Sequence, residues 1–244
     1  MGMIRITYRG EEIEAEHGLL IGAVGLDASA CKVDSTDYAS MDGAAFAGAR
    51  MGRRDVRLTY AVGDEAEESR DRIYEVFEPK SKGTLGIKTD SKDLTAEAYV
   101  AAVDVDPWAR PQTAEVTLVC PDPWLYARAE RTFTATPSGG AYAWVVSNRG
   151  ASVGFVTNAY FKASGSVTAG GETIAWTGAA ANMALDTREG SRDIFTVGPH
   201  DAHTSYVSAI TAWAWPQVPH GESTVTGAES ASHTLTIRER WAGI

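Results

Sequence analysis

Apolar residues recur at every second position through most of the chain, and that spacing predicts β-strands. In MIRITYRG, Ile4, Ile6 and Tyr8 share one face and Arg5, Thr7 and Arg9 the other. After Gly10, Ile13 and Ala15 alternate with glutamates, which predicts a hairpin. Asp42-Gly43, a dipeptide tolerant of positive φ, divides a second predicted hairpin. In RDVRLTYAV, Val56, Leu58, Tyr60 and Val62 alternate with Arg57, Thr59 and Ala61, and GTLGIKT, LTAEAYVAAVDV and AEVTLVC continue the series. Half-buried antiparallel strands carry this signature.

One segment breaks it. In DEAEESRDRIYEVFEP, Arg70, Ile73, Tyr74 and Phe77 recur at helical spacing, acids crowd the start where they suit the helix dipole, and Pro79 ends the run. The expectation is one amphipathic helix, about residues 64–77, with its Ile73–Phe77 face on a sheet. Pro107 and Pro111 stiffen the loop between the last two strands of this region.

Past residue 128 the chain turns rich in Gly, Ser, Thr and Ala. Short strand candidates follow one another: AYAWVVS, ASVGFVT, NAYFKAS, SVTA, ETIAWT, ANMALDT, DIFTV, TSYVSAI, STVTG and SHTLTIRERW. In the last, Leu235, Ile237 and Trp241 point one way and Thr234, Thr236, Arg238 and Arg240 the other. Many short strands between closely spaced turns describe a β-sandwich or jelly roll. The expected division is therefore 1–128 and 129–244.

The stretch VTLVCPDPWLYA marks that division. Val116, Leu118 and Cys120 line one face of a strand, and Pro121 and Pro123 lack the amide donors that would extend its ladder. Trp124, Leu125 and Tyr126 then have two compatible readings: a plug over the end of the first core, or a stiff inter-domain elbow, unlike a Gly/Ser linker.

Composition narrows the function. The 32 acidic residues against 22 basic give a net charge of −10, and no basic stripe is present, so direct nucleic-acid contact is not expected. No run approaches the roughly 18 apolar residues of a membrane span, and MGMIRITYRG is a strand pattern and not a leader. Synthesis in the cytoplasm without membrane insertion is expected. The two cysteines, Cys31 and Cys120, are expected to be buried free thiols.

Candidate chemistry is sparse. His200-Asp201-Ala202-His203 sits between Gly198-Pro199 and a strand, so a solvated loop is expected there and not a metal site. Asp104 and Asp106 read as polar loop residues at a strand end. There is no P-loop, and no catalytic residue, metal or cofactor is assigned. Trp213 and Trp215 alternate in TAWAWP and project from one face, with Trp176 and Tyr160 on other candidate strands. They serve either as core between sheets or as stacking platforms for a sugar.

Several stretches, in order, resemble one family. A strand ending in CPDPWLY, the hairpin MDGAAFAGARMGRRDVRLTY, the helix and strand IYEVFEPKSKGTLGIKT, MALDTREGSR, the loop WPQVPHGESTVTG and the closing strand LTIRERW resemble the distal tail protein family of long non-contractile-tailed (siphovirus-type) phages. The resemblance spans essentially the whole chain. It implies a mainly β protein, with an N-terminal split β-barrel carrying one α-helix and a C-terminal galectin-like β-sandwich. It further implies a non-enzymatic virion component at the tail tip: a baseplate hub whose first domains close a homo-hexameric ring. Such a ring joins the tail tube protein to a tail-associated lysin or fibre protein and to receptor-binding proteins. One departure stands out: relatives often carry Asn-Pro-Gly near residues 147–150, whereas Ser147-Asn148-Arg149-Gly150 lacks the proline. The competing readings are a carbohydrate-binding β-sandwich using Trp213 and Trp215, and an unrecognised hydrolase.

Overall fold

The computed structural model describes the chain except residues 1–3, 40, 64, 107, 109, 136–140, 159–160, 179–182, 198–202 and 231–233. The chain divides into two compact units, Met1–Arg128 together with Ala242–Ile244, and Ala129–Trp241. The last three residues, at the end of the segment read as the second domain, thus belong to the first unit.

The first unit contains β1 (Arg5–Tyr8), β2 (Gly18–Val24), β3 (Cys31–Asp37), β4 (Ala44–Met51), β5 (Arg54–Val62), α1 (Ala66–Val76), β6 (Lys82–Lys88), β7 (Asp93–Val105), β8 (Thr113–Cys120) and β9 (Leu125–Ala127). A curled antiparallel sheet runs in the order β1-β6-β7-β8-β5-β2, with β9 beside the start of β7. The order ends on β1 and β2, so the half-barrel has an open seam between two strand edges. β3 and β4 form a two-stranded sheet of their own.

Period two builds this core. Along β8 every second residue (Ala114, Val116, Leu118, Cys120) is buried, and β5 turns Val56, Leu58 and Tyr60 inward. Helix α1 buries Ser69, Ile73 and Val76 and ends at Phe77, whose ring stacks on Tyr8 at 5.5 Å and meets Tyr60 at 6.0 Å. Truncating a core phenylalanine of this kind costs roughly 3–5 kcal/mol. Tyr74, expected on the buried face, is exposed; the 4-then-3 spacing of 69, 73 and 76 defines the inward stripe instead.

The hairpin expected after Gly10 exists only as its turn. Arg9 and Gly10 both take positive φ, and Tyr8 and Glu11 exchange backbone hydrogen bonds of 2.8 and 3.0 Å. The chain then leaves the ladder because β1 pairs with β6, Arg5 opposite Lys88 and Tyr8 opposite Leu85.

The second unit contains β10 (Arg131–Thr134), β11 (Ala141–Asn148), β12 (Gly154–Asn158), β13 (Phe161–Ala169), β14 (Glu172–Trp176), β15 (Ala184–Asp186), β16 (Asp193–Val197), β17 (His203–Ser205), β18 (Ile210–Trp213), β19 (Gln217–Val218), β20 (Gly221–Ser230) and β21 (Thr234–Arg238). Its sheets are β11-β20-β13-β14-β18, β10-β21-β12-β19 and β15-β16-β17. All three feed one core: Trp144, Val167, Trp176 and Val225 from the first, Val156, Leu235 and Ile237 from the second, Leu185 and Ile194 from the third. This is a β-sandwich with a small third sheet. Large rings need small neighbours: a Cβ on Gly227 would stand 2.9 Å from the Trp144 ring.

Two expectations shift here. Phe161–Ala169, expected as parts of two separate strands, form the single strand β13, and Arg240, expected on the face opposite Leu235 and Ile237, is buried with its guanidinium 4.7 Å from the centre of the Phe155 ring. Alternation ends at Arg238, so the side assignments of residues beyond it no longer follow from period two.

Candidate functional site

The PDPW crossover is a built turn. Asp122 Oδ1 accepts from the Trp124 amide at 3.0 Å and Oδ2 from the Tyr126 hydroxyl at 2.6 Å. Leu125 is fully buried, and Trp124 and Tyr126 are half-buried. Pro121 and Pro123 flank the turn, and the Pro123 carbonyl accepts from Arg54 Nε at 2.9 Å and Nη2 at 2.6 Å.

Arg54 was not singled out by pattern, yet it organises this end of the first unit. It is 2% exposed and commits all five of its N–H donors to main-chain oxygens. Nη1 donates to Gly25 and Asp27, both at 2.6 Å, and Nη2 donates also to Ala242. Three remote segments converge on one cation. Gly25 must be glycine there: its φ is +85°, and a Cβ would lie 2.0 Å from the Asp55 carbonyl oxygen. Burial pushes the Arg54 pKa down, opposed by Cys120, Asp122 and Asp27, but an arginine stays charged. The signal in sequence was the Arg53-Arg54 pair at a strand start, one arginine pointing each way: Arg53 outward to Asp55 at 3.1 Å, Arg54 inward.

Two exposed surfaces of the first unit carry apolar side chains. The first is the β3–β4 arm, where nearly every residue is exposed. Val33, Tyr38, Met41 and Phe46 present apolar side chains, Phe46 at 70% exposure. Among the described residues neither outer edge of the arm pairs with another strand. An isolated two-stranded ribbon is marginal in water. Cys31, expected buried, starts this arm and is exposed, while Cys120 is buried; both are free. Position in a strand predicts burial only where the strand has a core to face.

The second surface is the open seam. A cavity of about 650 Å³ lies there, floored by Ile4, Ile6, Ile13, Leu19 and Tyr60. Edge strand β2 adds exposed Leu19, Ile21 and Val24. The 9–17 segment spans the seam under the hold of Arg72, which reaches Glu11 at 3.0 Å, Glu14 at 3.3 Å and Glu75 at 2.9 Å. Arg72 holds the Glu14 carboxyl below the usual range.

The remaining predicted residues are dispersed. Trp213 ends edge strand β18 at 58% exposure, whereas Trp215, beyond the end of that strand, packs against the second unit's core; Trp176 is buried. The strand stops between the two rings, so they share no exposed platform. Tyr160, His200 and Asp201 lie outside the described residues. His203 opens β17 and contacts Asp193 at 2.7 Å. Asp106 Oδ1 accepts from the Trp108 amide at 2.9 Å, and Asp104 stands exposed opposite Glu115. Trp108, at 90% exposure, is a further contact candidate that pattern reading passed over. Among the described residues no group of three or more His, Cys, Asp or Glu is placed to hold a metal ion. No helix there is long and apolar enough to cross a membrane.

The turn that lacks the proline is closed by side chains. Asn148 Nδ2 donates to Ser152 and Val218 carbonyls at 2.8 and 3.0 Å, and its Oδ1 accepts from the Gly150 amide at 2.9 Å. Buried Glu239 accepts from the Arg149 amide at 2.7 Å and from Arg131 at 2.9 Å.

A half-barrel with one helix followed by a β-sandwich, over the full chain, is the fold of solved phage tail hub and baseplate proteins. The SPP1 Dit protein, whose crystal structure is described as a paradigm of the hub adsorption apparatus in Gram-positive-infecting phages, is similar over 98% of this chain and 99% of its own, with a TM-score of 0.69 and 13% identity. Structures of the phage P2 baseplate in its activated conformation, with Ca and with Sr, are similar over 100% of both chains, with a TM-score of 0.57 and 9% identity. No family model and no curated protein matches the chain.

Proposed function

We propose that this chain is a structural hub of a phage tail tip, assembling with copies of itself into a ring, six-membered as the family resemblance implies. The observation that carries the reading is the β3–β4 arm: four exposed apolar side chains on a ribbon whose outer edges pair with no other strand among the described residues, a surface that monomers avoid. A ring needs two different surfaces on each copy, because head-to-tail contacts close by rotation. The arm supplies one and the open seam at β1 and β2 the other. In this reading the arm of each copy lies against the seam of the next, covering Leu19, Ile21 and Val24.

The likeness of the whole fold to hub proteins supports the same role, and with it a place between the tail tube protein and a tail-associated lysin, fibre or receptor-binding protein. The PDPW turn then acts as the stiff elbow of the hub. The acidic balance of the chain suits a lumen that does not grip passing DNA. Light scattering of the purified chain, alone and with tube protein, tests the reading: a multimer lost on Phe46→Asp supports it, and a monomer under every condition removes it.

A further inference from the structure

The second unit carries a polar recess of about 470 Å³ over its small third sheet. The ladder sets Asp186 directly opposite Asp193, and Phe195 opposite Ser205. Like charges facing each other across a ladder repel, so each carboxylate has its own restraint. Asp186, 4% exposed, accepts from Arg188 through its backbone amide at 2.9 Å, Nε at 3.0 Å and Nη2 at 2.5 Å. Asp193 accepts from the Ser205 hydroxyl at 2.7 Å and engages His203 Nε2 at 2.7 Å. His203 in turn stacks on half-exposed Phe195, with ring centres 4.4 Å apart.

What is left over defines a ligand. A carboxylate offers about four acceptor positions, and Asp193 uses two of them among the described residues. Arg192 lines the same recess, is exposed, and has no hydrogen bond or ion pair among the described residues. Asp193 acceptors, a guanidinium donor and an aromatic wall therefore converge on one space. Charge then selects the class. Two aspartates oppose an anion, two arginines oppose a divalent cation, and the four together cancel. Hydroxyl groups, which both donate and accept, match such a mixed and neutral lining. The volume falls within the range of small-molecule sites.

We propose that this recess is a saccharide subsite: adjacent hydroxyls of a neutral pyranose donate to Asp193 and accept from Arg192, with a C–H face against Phe195. Binding here is independent of ring formation, so a copy that fails to assemble still binds.

The full chain, labelled with nitrogen-15, is titrated with methyl glycosides of neutral and N-acetylated hexoses, and backbone amide shifts are followed. Saturable millimolar shifts at Asp193, Phe195 and His203 with at least one glycoside are expected. Arg192→Ala, at an exposed position, should weaken them roughly tenfold with the remaining amide spectrum unchanged. Asp193→Asn should weaken them as well. The proposal is overturned if no glycoside gives a saturable shift, if both variants bind as the parent does, or if sulfate or calcium ion occupies these amides more tightly than any sugar.

Discussion

Arg54 and Ala242 stand 188 positions apart in sequence, and the guanidinium of one donates to the carbonyl of the other. The contact returns the last residues to the first unit: the Ile244 amide donates to Leu26 at 3.2 Å, and Gly243 packs so close to Asp27 and Ala28 that a Cβ would sit 2.9 Å from their backbone. A single cation thus ties together the start of β5, the β2–β3 crossover, the PDPW turn and the 242–244 segment.

Replacing that cation should be costly. Arg54→Ala leaves the Gly25, Asp27, Pro123 and Ala242 carbonyls without their donor, and should destabilise the first unit by about 3–5 kcal/mol, the range for breaking a buried charged network. Arg54→Lys should recover only part, since an ammonium has three donors and no planar fork. Hydrogen exchange at β5 and β8 amides reads this unit by itself, which matters because a chain of two units need not unfold in one step.

Gly227→Ala should destabilise the second unit by roughly 1–3 kcal/mol through collision with the buried Trp144 ring. Gly48→Ala, where nothing lies within 4 Å and φ is ordinary, is the control and should be near neutral. Urea midpoints followed by tryptophan fluorescence separate the two.

The cysteines should behave oppositely. Burial pushes the Cys120 thiol from 9.0 up to about 11, only partly offset by Arg54 nearby. The folded form holds this proton more tightly than the unfolded form, so the thiol's stabilising contribution is complete below pH 9 and lost as pH rises from 9 toward 11. Cys120→Ala should flatten that part of the stability profile. In the native chain iodoacetamide should modify Cys31 and spare Cys120, and both should react after unfolding; equal native rates would contradict the burial of Cys120.

Much of this architecture was legible because burial and period coincide. VRLTYAV and TAEVTLVC alternate and are the inner strands β5 and β8, and the one acidic, helically spaced segment is α1. What escaped legibility lacks a periodic signature. The arm alternates weakly and has no core on either side, so its residues, Cys31 included, could not be sorted by face. Arg54 looks like any surface arginine until its carbonyl partners, tens to nearly two hundred residues away, are brought in by the fold. The Asp186–Asp193 pairing depends on a ladder register that no local motif announces. Trp213 and Trp215 fit a shared face on paper, but β18 ends between them.

The ring reading makes a specific demand on mixtures. Phe46→Asp spoils the arm and Leu19→Asp spoils the seam, so each variant alone should remain monomeric. Mixed together, the intact seam of the first should accept the intact arm of the second, giving a heterodimer that cannot grow. Mass photometry reads the outcome: a mixture that stays monomeric would contradict arm-to-seam contact.

The central claim is that this chain is a brick that closes on copies of itself, and negative-stain microscopy of the purified chain, with and without tube protein, tests it most directly. The account predicts closed rings with six-fold averages whose subunit contacts involve the β3–β4 arm. Isolated single copies in both samples, or rings in which that arm points freely into solvent, would contradict it.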